Sequence, residues 1–141
     1  MRYDDFLKMM QKEKVRRKPR HIESDIQQAC VEWFRLTYPQ YIILSIPNGG
    51  SRNALEAANL KKEGALAGAS DLLVIAMCSV LFIEMKRKGG KQQESQIRFQ
   101  KNIERLGHEY KICHSKQEFQ MTIERWLKEK YGYEDTYRSK K

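Results

Sequence analysis

The chain has 141 residues, room for one domain core, and 40% of them are hydrophobic, enough to fill it. Its 27 Lys and Arg against 18 Asp and Glu leave a formal charge of +9. That composition excludes a disordered or collagen-like chain, and the longest apolar run, Leu72 to Ile83, is interrupted by Ser79 and far short of a bilayer crossing.

In chain order, the first segment (1–20) carries eight basic and three acidic side chains and reads as a basic arm with no apolar signal core. Such a chain is expected to stay in the cytoplasm where it is made. Ile22 to Tyr38 places Ile22, Ile26, Ala29 and Trp33 at helical spacing and stops before Pro39. Tyr41 to Ile46 is a short strand ending at the Pro47-Asn48-Gly49-Gly50 turn. Ser51 to Glu63 is a helix of good formers with Ser51 as its cap. Asp71 to Met77 and Val80 to Lys86 form a hairpin about Cys78-Ser79. Glu94 to Leu106 is a helix with a stripe of Ile97, Gln100 or Lys101, Ile103 and Leu106, and Gly107 supplies a left-handed stop. Tyr110 to Cys113 is a brief strand. Ser115 to Glu118 is a capping box opening a last helix with Phe119, Ile123, Trp126 and Leu127. The fold class is therefore α/β, a mixed central sheet flanked by helices, divided into an arm (1–20), a domain (21–130) and a polar tail (131–141). Cys30, Cys78 and Cys113 all lie in apolar segments without a C-x-x-C spacing, so they read as buried, reduced thiols.

Four basic residues, Lys86, Arg87, Lys88 and Lys91, surround Gly89-Gly90. With the arm they make two clusters suited to a polyanion, since Lys and Arg displace counterions from phosphate. The hairpin puts carboxylates beside this charge. A two-residue turn at Cys78-Ser79 sets Asp71 opposite Lys86, with Glu84 on the same face as a diagonal neighbour at roughly 7 to 8 Å. Two acids and a lysine closing an apolar hairpin need compensation, because unpaired buried charge costs several kcal/mol. Mg²⁺, a hard ion that keeps waters and bridges carboxylates to phosphate, supplies it economically. The plainer reading is a surface ion pair at the sheet rim. Glu109-Tyr110-Lys111 repeats the E-x-K pattern but lacks a partner acid on a hairpin strand. Glu23 and Gln27, four apart on one face of the first helix, add a further carboxylate near the stripe; a first-turn acid favouring the helix dipole is the equal alternative.

Gly68-Ala69-Ser70-Asp71, Ile83-Glu84-Met85-Lys86, Gly89-Gly90 and Gln96, with Glu23 and Pro47-Asn48-Gly49 ahead of them, resemble the virus-type replication-repair nuclease (VRR-NUC) domain of the PD-(D/E)xK superfamily. The likeness spans Ile22 to the last helix. It departs at Ser70, where the family usually has proline before its metal-binding aspartate. The resemblance implies a restriction-endonuclease-like core and a DNA endonuclease using Mg²⁺ or Mn²⁺. Asp71 and Glu84 would hold the metal, with the Met85 carbonyl and Glu23 as further ligands. Lys86 would be the catalytic lysine, and Gln96 would hold it or the scissile phosphate. Asn48, Arg52, Lys88 and Lys91 would contact the DNA backbone. It further implies in-line hydrolysis leaving a 5′ phosphate, branched DNA such as a four-way (Holliday) junction as substrate, a homodimer, and a phage-type replication and repair setting in the host cytoplasm. No membrane and no organic cofactor are implied.

Two other readings compete. One is a catalytically silent nucleic-acid-binding module, which has no use for acids that repel phosphate. The other is an accessory subunit contacting a partner through Trp33, Trp126 and Tyr131 to Tyr137.

Overall fold

The computed structural model describes residues 2–5, 8, 22–47 and 53–132. Most of the expected basic arm, the tail beyond Gly132, the Ser51 cap, Asn48 and Arg52 lie outside the described residues. The described elements follow the expected order: α1 (Ile22–Thr37), β1 (Ile42–Ser45), α2 (Ala54–Lys62), β2 (Leu72–Ala76), β3 (Ser79–Met85), α3 (Glu94–Arg105), β4 (Glu109–Cys113) and α4 (Lys116–Tyr131). The strands form one sheet in the order β1-β2-β3-β4. The first three are antiparallel neighbours, whereas β4 runs parallel to β3. A parallel neighbour needs a crossover, and α3 provides it. The mixed sheet flanked by helices is the architecture that the strand and helix pattern predicts.

Period-two alternation gives the sheet two unlike faces. Leu72, Val74, Leu81, Ile83, Met85 and Cys113 point to one side, where Cys30 and Phe34 of α1 and Phe119, Ile123 and Trp126 of α4 bury them. Each such aliphatic or aromatic side chain contributes about 1.5 to 3 kcal/mol by leaving water, so this layer holds the fold. The opposite side carries Phe82, Glu84 and Tyr110, and α3 lies on it through the edge-to-face contacts of Phe99 with Phe82 and Tyr110.

Several sequence expectations need correction. The buried stripe of α1 centres on Cys30 and Phe34, while Ile22 is exposed and Ile26, Ala29 and Trp33 are half-buried. In α3 only Ile103 is fully buried, and Ile97 and Leu106 are exposed. The helix is rotated so that Phe99 and Gln96, rather than its aliphatic residues, meet the sheet, because Phe82 and Glu84 are what that face offers. The last helix matches expectation, with Phe119, Ile123, Trp126 and Leu127 all buried. Ser115 Oγ accepts the Glu118 N–H at 3.0 Å as the capping box requires, but the Glu118 carboxylate accepts from the His114 N–H instead of reaching back to Ser115. For α2 the N-cap is Asn53, whose side chain accepts the Glu56 N–H at 2.8 Å.

The hairpin turn sits one residue earlier than expected. Ala76 pairs with Ser79, so Met77 and Cys78 make the reversal. Cys78 adopts φ of +56°, a left-handed conformation that lets the chain turn in two residues. Cys78 is consequently exposed, unlike the buried Cys30 and Cys113. Burial pushes the thiols of Cys30 up to about 12 and Cys113 up to about 11, which keeps both protonated and unreactive. Trp33 packs on Tyr38 and Phe119, Trp126 is buried in the core, and Tyr131 stacks on Tyr41. These aromatics are structural rather than a contact surface for a partner, and Tyr133 and Tyr137 lie outside the described residues. No helix among the described residues is long and apolar enough to cross a membrane.

Candidate active site

The earlier turn changes which residues oppose each other without changing the faces. Leu72 pairs with Ile83, and continuing that register one step places Asp71 across from Glu84 instead of Lys86. Moving both ends of the pairing by one residue preserves parity, so Asp71, Glu84 and Lys86 still share a face, with the two carboxylates closer than the expected diagonal. Asp71 stands just before β2, where its carbonyl accepts the Ile46 N–H at 2.8 Å and ties it to the end of β1. Glu84 and Lys86 stand at the end of β3. The group therefore gathers where three strands finish side by side.

Glu84 is 2% exposed. Its Oε1 accepts from Gln96 Nε2 at 2.9 Å and lies 3.5 Å from Lys86 Nζ, and the lysine side chain is itself only 11% exposed. This is not the rim ion pair of the plainer sequence reading. Its Oε2 is buried without a hydrogen-bond partner, a position that is satisfied only when one of the two acids holds a proton or a cation enters. Burial first, and the charge of Asp71 second, push the Glu84 carboxyl up to about 7 against the pull of Lys86. Asp71 is also raised, chiefly by burial, and is opposed by the Met85 N–H, which donates to its Oδ2 at 2.8 Å. The same buried negative charge pushes Tyr110, beneath Glu84 on β4, up to about 12.

Gln96 is fixed at both ends of its amide. Its Oε1 accepts the Gln93 N–H at 2.8 Å at the start of α3, while its Nε2 serves Glu84. Glu23, on the first turn of α1, accepts the Arg87 N–H at 3.2 Å and adds its charge to the field on Asp71. Thus Glu23, Asp71, Glu84, Lys86 and Gln96, five residues from five segments, converge. Lys88 and Lys91 are exposed on the loop that leaves the site. Of Met85, the recorded contact is its amide. Among the described residues no three of His, Cys, Asp and Glu close into a metal-holding group, and Asp71 and Glu84 are a pair.

One determinant of this geometry was overlooked in the sequence, although Gly68 belongs to the motif. Gly68 has φ of +83°, and a Cβ there would lie 2.3 Å from the Ser95 carbonyl oxygen. Only glycine lets the chain entering Asp71 press against the first turn of α3, and that turn carries Gln96 to Glu84. Ser70, where the resemblance expects proline, is fully buried, and its hydroxyl donates to the Leu72 carbonyl at 3.2 Å. A short side-chain bond thereby steadies the strand entry that proline otherwise stiffens. The other E-x-K segment resolves differently. Glu109 stands opposite Leu81, on the α4 side of the sheet, and pairs with Lys130 at 3.1 Å.

No curated protein matches the chain. Two solved structures share its fold. One, titled a VRR_NUC domain protein, aligns with a TM-score of 0.62 at 20% identity over 79% of this chain and 92% of its own. The other, titled VRR_NUC domain, gives 0.52 at 20% identity over 78% and 97%. The family model for the VRR-NUC domain matches residues 8–117, a span that holds all five converging residues. The chain therefore belongs to the VRR-NUC domain family and is of nuclease type.

Proposed function

We propose that the protein is a Mg²⁺-dependent endonuclease that hydrolyses phosphodiester bonds in branched DNA during replication or repair. Mn²⁺ is an alternative metal and the cytoplasm the setting. The observation that carries this reading is the buried, facing pair Asp71 and Glu84 beside a single lysine, with one carboxylate oxygen left without a partner. Two ionised acids at this burial are stable only with a second positive charge between them. Oxygen donors in a pair, with room for waters and a substrate phosphate, suit a hard divalent ion rather than zinc.

Asp71 and Glu84 would hold the ion. Both main-chain groups of a strand residue face the same neighbour, so the Met85 carbonyl points with its N–H toward Asp71 and would be a third ligand. Glu23 would act through the ion's water shell. When bound, the ion would neutralise phosphate charge and lower the pKa of water.

The chain's own residues supply the rest. Lys86 Nζ, anchored by Glu84, faces the scissile phosphate and orients the attacking water by a hydrogen bond. Gln96 keeps Glu84 turned toward the ion. Lys88 and Lys91, with Asn48 and Arg52, hold the DNA backbone, and cleavage leaves a 5′ phosphate. A homodimer would place two such sites about a two-fold axis, the arrangement suited to paired cuts in a four-way junction.

The test is cleavage of matched linear, flap and four-way substrates with Mg²⁺ or EDTA, by the parent and by Lys86→Ala, alongside a sizing measurement. Cleavage that survives both EDTA and Lys86→Ala removes the metal mechanism, and a strictly monomeric enzyme removes the paired cut.

A further inference from the structure

An open groove of about 580 Å³ runs between α1 and the edge strand β1, outside the group of residues described above. Both of its walls lead to that group. Ser24, at one end, follows Glu23, and Ser45, on the other wall, pairs with Leu72, the residue after Asp71. From there α1 contributes Gln27, Val31, Arg35 and Leu36. A chain held at the carboxylates and leaving past Glu23 would enter this groove.

Its chemistry differs from that of the basic loop. Glu32 and Arg35 are its only charged members and cancel, and Arg35 is engaged with the Ile43 carbonyl at 3.4 Å. A phosphate backbone gains little here, whereas Lys86, Arg87, Lys88 and Lys91 await it at the loop. What the groove offers is an apolar strip, Val31 and Leu36, beside carboxamides. Gln28 is tied to Ser24 at 3.2 Å, but Gln27, half-buried, makes no hydrogen bond among the described residues. An amide with donor and acceptor side by side over an apolar floor matches a nucleobase edge and ring. In duplex DNA those edges are paired and stacked, so only an unpaired nucleotide can present them to a side groove.

We infer that this groove binds the unpaired strand next to the scissile phosphate. The enzyme then favours branched DNA with a single-stranded arm over fully paired DNA, four-way junctions included. The inference rests on the nuclease reading and narrows its substrate.

The experiment measures fluorescence anisotropy with Mg²⁺ in a Lys86→Ala background, which is first checked for loss of cleavage. The ligands are a forked duplex with single-stranded arms, a fully paired duplex and a four-way junction of matched length. The groove variants are Gln27→Ala and Leu36→Ser; Leu36 is 76% exposed, so its change leaves the core alone. The fork should bind tightest, and each variant should weaken it by about tenfold while leaving the paired duplex unchanged. Abasic sites at the junction should weaken the parent likewise and add little in Gln27→Ala. Equal weakening of fork and duplex, or no weakening of either, overturns the inference. Retained cleavage by Lys86→Ala instead counts against the catalytic reading.

Discussion

The same tripeptide pattern occurs on two neighbouring parallel strands. Glu84-Met85-Lys86 closes β3 and Glu109-Tyr110-Lys111 opens β4. In the first, acid and lysine are nearly excluded from water at 3% and 11% side-chain exposure. In the second, Glu109 reaches across to Lys130 with 33% and 40% exposure. Residue type and spacing are alike, yet the environments diverge because the two glutamates lie on opposite faces and at opposite ends of their strands. A motif of this kind acquires chemical potential only where the fold desolvates it and supplies a second acid.

The largest expected effect breaks the comparison at the level of activity. Lys86→Ala and Glu84→Gln should each lower metal-dependent DNA cleavage by about a thousandfold, whereas Glu109→Gln and Lys111→Ala should stay within about twofold, measured on one branched substrate. Equal losses in both segments would falsify the assignment of chemistry to β3.

Next in size is the support of the site. Gly68→Ala should cost about 3 kcal/mol in urea unfolding, because its Cβ meets the Ser95 backbone. Gly64→Ala, at φ of +112° with open space around it, should cost only about 1 kcal/mol of backbone strain.

The pH dependence sharpens the contrast further. The Glu84 carboxyl is raised from 4.5 to about 7. Between those values the folded chain binds more protons than the unfolded one, and stability falls as pH rises. In EDTA the thermal midpoint should drop between about pH 5 and pH 8, a loss of about 2 kcal/mol. Saturating Mg²⁺ or Glu84→Gln should flatten the curve, and a flat curve for the parent in EDTA would show that the carboxylate pair is better solvated than its geometry implies.

The smallest effect belongs to the exposed pair. Removing Lys130 by Lys130→Ala should change stability by about 0.5 kcal/mol, within reach of a careful denaturant series. A cost of several kcal/mol there would mean that the two segments are less different than their burial suggests.

The chain by itself determined a good deal of this. Element order, the sheet's mixed character, the basic loop after Lys86 and the shared face of Asp71, Glu84 and Lys86 were legible because they follow from covalent periodicity. Alternation along a strand survives even a misplaced turn, as the shift from Cys78-Ser79 to Met77-Cys78 demonstrates. Contacts between distant segments were decided only by the tertiary structure. Glu23 meets Arg87 across 64 residues, Gly68 wedges against Ser95, and Gln96 rather than Ile97 faces the sheet. These depend on how side-chain volumes settle the tilt and rotation of each helix on the sheet, and local spacing encodes the period of a helix but not the angle at which it comes to rest.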